Sequence, residues 1–404
     1  MRASSYPLVD AADAHATVLS RTPVLGAEEV PIGEAAGRVT ADDLVAPSDL
    51  PPWPASAVDG YAIRAADAGC RLRVVGESAA GHPFRGELRP GTAARMLTGG
   101  VLPEGADAVV MVEDTTLAGE EVDIPAGVLP GANFHRPGSD LRRGETALAA
   151  GIALGPAELG LAAAMGFARV SVRRRPRVAL MSTGDELVEV GMEPGPGQIV
   201  DSNRFALLGA LTDAGAEVRL LGIAPDEPDA LRRMVVEALR EADVLVTSGG
   251  VSVGTHDLVK PLLESLGEVH IGRVKLRPGK PFTFATLPGG KLAFGLPGFP
   301  VSSLVTFEVF VRPALRRLQG HTELERPRLR VRLAYDARAA GDRTEYQRVR
   351  LHREGGELVA TSTGSQSSSR LMSLAGAHAL VRIAPGEVGV AAGEMVDAII
   401  LGLP

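Results

Sequence analysis

The segment Thr247–Asp257 reads Thr-Ser-Gly-Gly-Val-Ser-Val-Gly-Thr-His-Asp. Glycines at 249, 250 and 254 let a backbone approach a ligand closely, and Ser248, Ser252 and Thr255 add hydroxyl donors. The apolar run Ala242–Val246 before it reads as a buried strand. Leu258–Leu266 after it reads as a helix, with Pro261 in the first turn. A strand, a glycine-hydroxyl loop and a helix suit a phosphate or another oxyanion. Asp257 closes the loop with a carboxylate, which phosphates would repel unless a metal ion lay between them. A tight turn whose glycines serve geometry alone fits the same residues.

A second loop repeats the pattern. Arg177–Met181 is a strand candidate, and Ser182-Thr183-Gly184-Asp185-Glu186-Leu187 follows it. Val218–Ile223 is the next strand, with Asp226 just beyond, and Pro228–Glu241 has helical spacing. Glu186, Asp226 and Asp257 thus each follow a strand within one alternating β/α segment. A parallel sheet gathers such positions at one edge, where ligands usually bind. Three acids on one rim call for a cation, and oxygen ligands beside phosphate point to Mg²⁺.

Other segments have polar residues that suit either a turn or a site. Asp59-Gly60 has the composition of a hairpin turn. Thr98-Gly99-Gly100 reads as a loop between strands. Leu276-Arg277-Pro278-Gly279-Lys280-Pro281 sets two cations across a rigid turn, which suits an anion or plain solvation. Gly295-Leu296-Pro297-Gly298-Phe299-Pro300 precedes a helix start whose exposed N–H groups again favour an oxyanion. Ser365–Arg370 is either a flexible linker or a hydroxyl-rich binding loop.

These loops need a scaffold, and the chain is long enough for two to four cores at 404 residues. A charged fraction of 23% and a hydrophobic fraction of 45% are ordinary for a globular enzyme. The net charge of −7, with no Lys/Arg block, argues against nucleic acid. The single cysteine, Cys70, excludes an internal disulfide and a cysteine-based zinc site. No secretory signal or membrane span is read, so a cytoplasmic location is expected. Leu8–Leu19, Glu34–Thr40, Gly155–Ala168 and Val301–Leu318 read as helices. Short β-like runs occupy residues 55–141, and Pro47–Pro54 is an extended linker. Arg328–Asp336, Gln347–His352 and Glu357–Ser362 alternate apolar and polar residues, as strands of a small β domain do.

Ser-Ala-Val-Asp-Gly-Tyr-Ala (56–62), Thr-Gly-Gly with Pro-Glu-Gly-Ala-Asp-Ala-Val-Val (98–110), Ser-Thr-Gly-Asp-Glu-Leu (182–187), Ser-Gly-Gly-Val-Ser-Val-Gly (248–254), Pro-Gly-Lys-Pro (278–281) and Leu-Pro-Gly-x-Pro-Val-Ser (296–302) occur in one order. This set resembles the molybdopterin molybdenumtransferase (MoeA) family, to which the gephyrin E domain belongs. The resemblance implies an α/β multidomain protein. Its expected parts are a helical elongated dimerisation domain (1–43 with 142–175), an inserted β domain (44–141), a parallel β/α molybdopterin-binding domain (176–322) and a small C-terminal β domain (323–404). It further implies a homodimer whose active cleft is shared between subunits, with possible contact to an adenylyltransferase and to molybdoenzymes.

The implied reaction inserts molybdate into adenylyl-molybdopterin, cleaves its pyrophosphate and releases AMP. The resemblance assigns catalysis to Asp59, Asp140, Glu186, Asp226 and Asp257, the last three also holding Mg²⁺. It assigns substrate binding to Thr98, Ser182, Thr183, Gly184, Ser248, Gly249, Gly250, Ser252, Arg273, Arg277, Lys280, Pro297, Pro300 and Ser368. Phe299 stands where the family usually has Asn. Adenylyl transfer one step earlier, or a non-catalytic scaffold role, are the alternative functions.

Overall fold

The apolar runs ending at Ser182, Ser248 and Leu296 form the centre of one sheet. The computed structural model describes residues 6–225, 227–250, 258–339 and 341–402. They divide into two units: Met1–Glu28 with Gly37–Val39 and Val172–Pro404, and Glu29–Ala36 with Thr40–Ser171.

In the first unit the chain runs β1 (Arg177–Ser182), α1 (Asn203–Asp213), β2 (Glu217–Ile223), α2 (Pro228–Ala238), β3 (Val244–Ser248), α3 (Val259–Leu266), β4 (Glu268–Ile271), β5 (Val274–Arg277), β6 (Thr283–Leu287) and β7 (Lys291–Leu296). Six of these strands make a sheet in the order β2-β1-β3-β7-β6-β4. β2, β1, β3 and β7 are mutually parallel, β6 is antiparallel to β7, and β4 is antiparallel to β6. The central strands are buried on both faces, so their sequences run apolar without a break. Val178, Leu180, Val246 and Phe294 face α1 and the helix after β7. Ala179, Met181, Leu245 and Ala293 face α2 and α3 through Leu231, Val235, Leu262 and Leu263. Glu227 caps α2 by accepting from the Asp229 and Ala230 N–H groups at 3.0 and 2.7 Å.

The helix expected over Val301–Leu318 is continuous but not uniform. α4 (Pro300–Thr306) and α5 (Arg312–Leu318) are joined by a π-helical turn over Phe307–Val311. Phe307 and Phe310 are fully buried there, and the Phe310 ring stacks on Phe282 at 4.5 Å.

The C-terminal segment closes on itself. β8 (Arg328–Leu333), β9 (Thr344–Glu354), β10 (Glu357–Ser362), β11 (Ala379–Ile383) and β12 (Met395–Ile400) pair in the order β9-β10-β8-β12-β11, and β11 returns to β9. The short strand β5 leaves the β/α region and pairs with β9, matching Leu276 to Thr344 and Arg277 to Glu345. Val9–Asp10 adds to the other side of β5, and the helix Ala11–Ser20 that follows belongs to this unit.

The second unit holds a six-stranded sheet. Its order is Ala108–Met111, Gly60–Ile63, Thr92–Met96, Arg71–Ser78, Glu121–Asp123, Thr116–Ala118. Tyr61, Ile63, Leu72 and Val110 fill one core, and Ala62, Met96 and Val109 belong to another. The helix over Pro156–Ala164 ends at Gly166, whose φ of +86° a side chain would resist.

Two sequence expectations differ here. Glu34–Thr40 is not a helix: a single 3₁₀ turn covers Ile32–Glu34, Gly37 turns to φ +71°, and the Thr40 N–H goes to the Ile152 carbonyl. Asp59-Gly60 is not a hairpin turn either. Ala55–Ser56 pairs with Phe134–His135, whereas Gly60–Ile63 pairs with Thr92–Met96 and Ala108–Met111. Gly60 is required because a Cβ there would collide with the Val110 carbonyl oxygen. Among the described residues no helix is long and apolar enough to cross a membrane.

Candidate active site

Register brings the loops together. Ser182 aligns with Ser248 across β1 and β3, and Ser248 aligns with Leu296 across β3 and β7. The three loops beginning there leave the same edge of the sheet, side by side.

They are in contact. The Thr183 N–H donates to the Ser248 carbonyl at 2.9 Å. Gly250 has φ +64°, and a Cβ there would lie 2.6 Å from Thr183 Oγ1 and 2.7 Å from Val259 Cγ2. Gly249, at φ +86°, would collide with the Thr183 carbonyl oxygen if it carried a Cβ. A Cβ on Gly298 would lie 3.8 Å from the Gly249 Cα. These glycines therefore serve close approach between loops as well as any ligand. Gly184 does the same for Glu186, whose Oε2 sits 2.6 Å from where a Gly184 Cβ would be.

The hydroxyls differ in environment. Ser182 is fully buried, and its Oγ donates to Asp201 Oδ1 at 3.0 Å. Asp201 is buried beside Arg204, with Nε 3.1 Å from its Oδ2, and Arg204 also pairs with Glu189. That bond with Arg204 holds the exposed Glu189 carboxyl below its usual range. Ser248 instead receives a hydrogen bond from Asn203 Nδ2 at 2.8 Å, and the same nitrogen donates to the Gly298 carbonyl at 2.6 Å. Asp201 and Asn203 hold the two serine hydroxyls, and the sequence reading did not single them out. Polar residues just before a helix look like ordinary caps.

Glu186 is exposed; its carbonyl accepts from the Ile199 N–H at 2.7 Å, but its carboxylate has no hydrogen bond or ion pair among the described residues. Asp226, Ser252 and Asp257 lie outside the described residues. Among those described, no three His, Cys, Asp or Glu side chains cluster as a metal site.

The cations arrive from β5 and the turn that follows it. The Val274 N–H donates to the Lys280 carbonyl at 3.0 Å, closing the turn that carries Arg277, Pro278 and Gly279. Lys280 is exposed, and Arg277 is half-exposed with Nη1 3.7 Å from Glu345 Oε2. Glu345 is buried, and that burial pushes its carboxyl up despite Arg277. Arg273 is partly buried, with its Nε lacking a partner among the described residues.

The serine segment of the tail is not a flexible linker. Gln366 hydrogen-bonds both the N–H and the carbonyl of Arg348, whose Nη2 donates to the Ser367 carbonyl at 3.1 Å. The Ser368 carbonyl accepts from the Val301 N–H at 3.1 Å, at the first turn of α4. Pro297 and Pro300 bracket the two residues leading into that turn, and the Phe299 ring between them is 59% exposed, so it is not a core residue.

In the second unit, Thr98 donates to Asp59 Oδ1 twice, from its backbone N–H at 2.7 Å and its hydroxyl at 2.8 Å. The backbone bond, then the hydroxyl, hold the Asp59 carboxyl below its usual range. Asp140 is exposed, with its N–H on the Leu50 carbonyl. A cleft of about 430 Å³ in the first unit includes none of the loop residues. Much of its charge is already paired internally, Arg326 with Glu308 and Arg328 with Glu325.

Known proteins match this arrangement. Family models described as the MoeA N-terminal region (domain I and II), the probable molybdopterin binding domain and the MoeA C-terminal region (domain IV) match residues 9–166, 179–317 and 330–401. A molybdopterin molybdenumtransferase of Haemophilus influenzae is 38% identical over 91% of this chain and 92% of its own. The chain belongs to the molybdopterin molybdenumtransferase family. A second member, from Nostoc, is 38% identical over 98% of this chain and 94% of its own. The crystal structure of a molybdopterin biosynthesis MoeA protein from Pyrococcus horikoshii superposes with a TM-score of 0.83. It shares 34% identity, over 98% of this chain and 99% of that one. Membership fits the sheet-edge loops, the small C-terminal β domain and the mixed α/β architecture described above.

Proposed function

We propose that the chain is a molybdopterin molybdenumtransferase, inserting molybdate into adenylyl-molybdopterin and releasing AMP and molybdenum cofactor. The observation that carries this reading is the register of Ser182, Ser248 and Leu296. It sets two glycine-hydroxyl loops and a proline-glycine loop side by side, a surface suited to several phosphate oxygens at once.

Glu186, Asp226 and Asp257 would hold Mg²⁺. The one of these that the structure describes fits, being an exposed carboxylate with no protein partner among the described residues. When bound, Mg²⁺ supplies charge neutralisation at the pyrophosphate. The chain's own groups do the remainder. Ser248 and the backbone N–H groups of Gly184 and Gly250 orient the phosphates, because the Thr183 and Gly249 N–H groups already donate to the Ser248 and Leu296 carbonyls. Arg273, Arg277, Lys280 and Ser368 offer cations and a hydroxyl to molybdate, a tetrahedral dianion. Asp59, held ionised by Thr98, and Asp140 come from the second unit. In this reading the chain works in the cytoplasm as a homodimer, each cleft using Asp59 of the partner's inserted domain.

The test is a single-turnover reaction with adenylyl-molybdopterin, Mg²⁺ and molybdate, following AMP. Molybdate-dependent AMP release is expected. No release with the folded protein overturns the reading. Adenylylation of molybdopterin from ATP would reassign the chain to the preceding step.

A further inference from the structure

Asn203 opens α1, and its side chain joins the end of β3 to the loop after β7. Its Nδ2 donates to Ser248 Oγ at 2.8 Å and to the Gly298 carbonyl at 2.6 Å. The Gly298 carbonyl can only accept, so the atom facing it is the amide nitrogen. The two amide hydrogens are therefore both committed, one to the last residue of β3 and one to the loop after β7.

The consequence falls on Ser248. A serine hydroxyl has one hydrogen and two lone pairs. Asn203 occupies a lone pair, so the hydroxyl hydrogen is left over. It has no acceptor among the described residues. Ser182, its neighbour in register, is the reverse case, because its hydrogen goes to the buried Asp201 carboxylate. Only one of the two strand-end serines therefore keeps a hydrogen to give.

We infer that Asn203 is a positioning residue for the anionic substrate. It fixes Ser248 as a donor toward a phosphate oxygen and locks the Gly298 loop at the spacing that lets one anion meet both. An oxyanion, which only accepts, matches this polarity. Asn203 touches no ligand in this scheme and acts through Ser248 and Gly298. The inference rests on the proposed function above, in naming a nucleotide phosphate as the anion.

The test uses AMP with Mg²⁺ as the probe, with affinity measured by titration calorimetry on the full chain. Asn203→Ala should weaken AMP binding roughly tenfold, the size expected for a hydrogen bond to a charged group. Ser248→Ala should weaken it comparably. If Asn203 acts through Ser248, the double variant loses clearly less than the product of the two single losses. Asn203→Asp keeps the shape, cannot donate, and reclaims the Ser248 hydrogen for itself, so it should bind AMP more weakly than Asn203→Ala. Should Asn203→Ala fail to fold by circular dichroism, Asn203→Asp against Asn203→Asp with Ser248→Ala replaces it in the cycle. Wild-type affinity in the Asn203 variants, or fully multiplicative losses, overturns the inference. A wild-type chain that does not bind AMP overturns the proposed function itself, and this inference with it.

Discussion

Gly250 and Thr183 lie on loops from adjacent parallel strands, and a Cβ on the glycine would stand 2.6 Å from the threonine hydroxyl. Gly250 also has φ +64°. Gly250→Ala therefore meets a steric clash and an unfavourable backbone at once. Loss of about 2–3 kcal/mol of stability is expected, with AMP release down at least roughly tenfold. Gly197 is the control: its φ is +83°, but nothing lies within 4 Å of a Cβ there. Gly197→Ala should cost about 1 kcal/mol and leave turnover intact. Equal urea midpoints and equal rates for the two variants would remove the close-approach argument.

The Asp59–Thr98 pair makes a prediction about acid. Two hydrogen bonds from Thr98 depress the Asp59 carboxyl. A depressed carboxyl contributes stability above its unfolded pKa and loses it as pH falls through the folded one. Thr98→Ala deletes the hydroxyl bond and keeps the backbone bond, so the Asp59 pKa should rise toward the ordinary value. The acid limb of the rate profile should move to higher pH with it. Carbon NMR of the Asp59 carboxyl tracks the first effect directly, and an unmoved titration contradicts the account.

Glu345 behaves oppositely. Burial raises its carboxyl pKa, so its contribution to stability is present at low pH and lost as pH rises through the folded pKa. Glu345→Gln should flatten the dependence of Tm on pH and leave the variant more stable than wild type at the alkaline end. Removing the carboxylate also frees Arg277, 3.7 Å away, to face solvent anions. Molybdate dependence should tighten about twofold to threefold, consistent with a half-exposed ion pair worth less than 1 kcal/mol. Arg277→Gln should weaken it. Parallel changes in both variants would show that the two side chains are not coupled in this way.

Phe299 is exposed at the N-cap of α4. An aromatic ring there can stack on a flat ligand but cannot accept or donate as an amide does. Phe299→Ala should leave Tm within a degree or two, weaken binding of the organic substrate several-fold, and leave molybdate dependence unchanged. Loss of folding would mark the ring as structural.

If each cleft uses Asp59 of one subunit and Asp257 of the other, mixing Asp59→Asn with Asp257→Asn restores part of the AMP release that each lacks. One of the two clefts in a heterodimer then carries both acids. Differently tagged chains verify exchange, and verified heterodimers without activity place the two acids in the same chain's cleft.

The β/α region was legible in sequence because its central strands are buried on both faces and end in glycine-hydroxyl loops, a pattern with few other readings. The tail was half legible. Arg328–Leu333, Thr344–Glu354 and Glu357–Ser362 alternate visibly. Ala379–Ile383 and Met395–Ile400 did not stand out, and closure of β11 on β9 leaves no local trace. Asp201, Asn203 and Glu345 were missed for a related reason. Each matters through a partner distant in sequence: Asn203 reaches Ser248 and Gly298, and Glu345 reaches Arg277. The tail serines were ambiguous on composition, and their bonds to Arg348 and Val301, both distant in sequence, resolve them.

The strand β5 is a shared rung, with Arg277 at its end and β9 of the C-terminal barrel along its side. The barrel is therefore not a detachable appendage. A chain cut after Leu318 would leave the backbone groups of Leu276 and Arg277 facing water and would strip Glu345 from beneath the guanidinium. The cationic arm and the barrel must be kept or lost together. The smallest fragment able to present Arg277 correctly extends through Ile400, and any attempt to graft the β/α region alone onto another protein carries an unfinished edge.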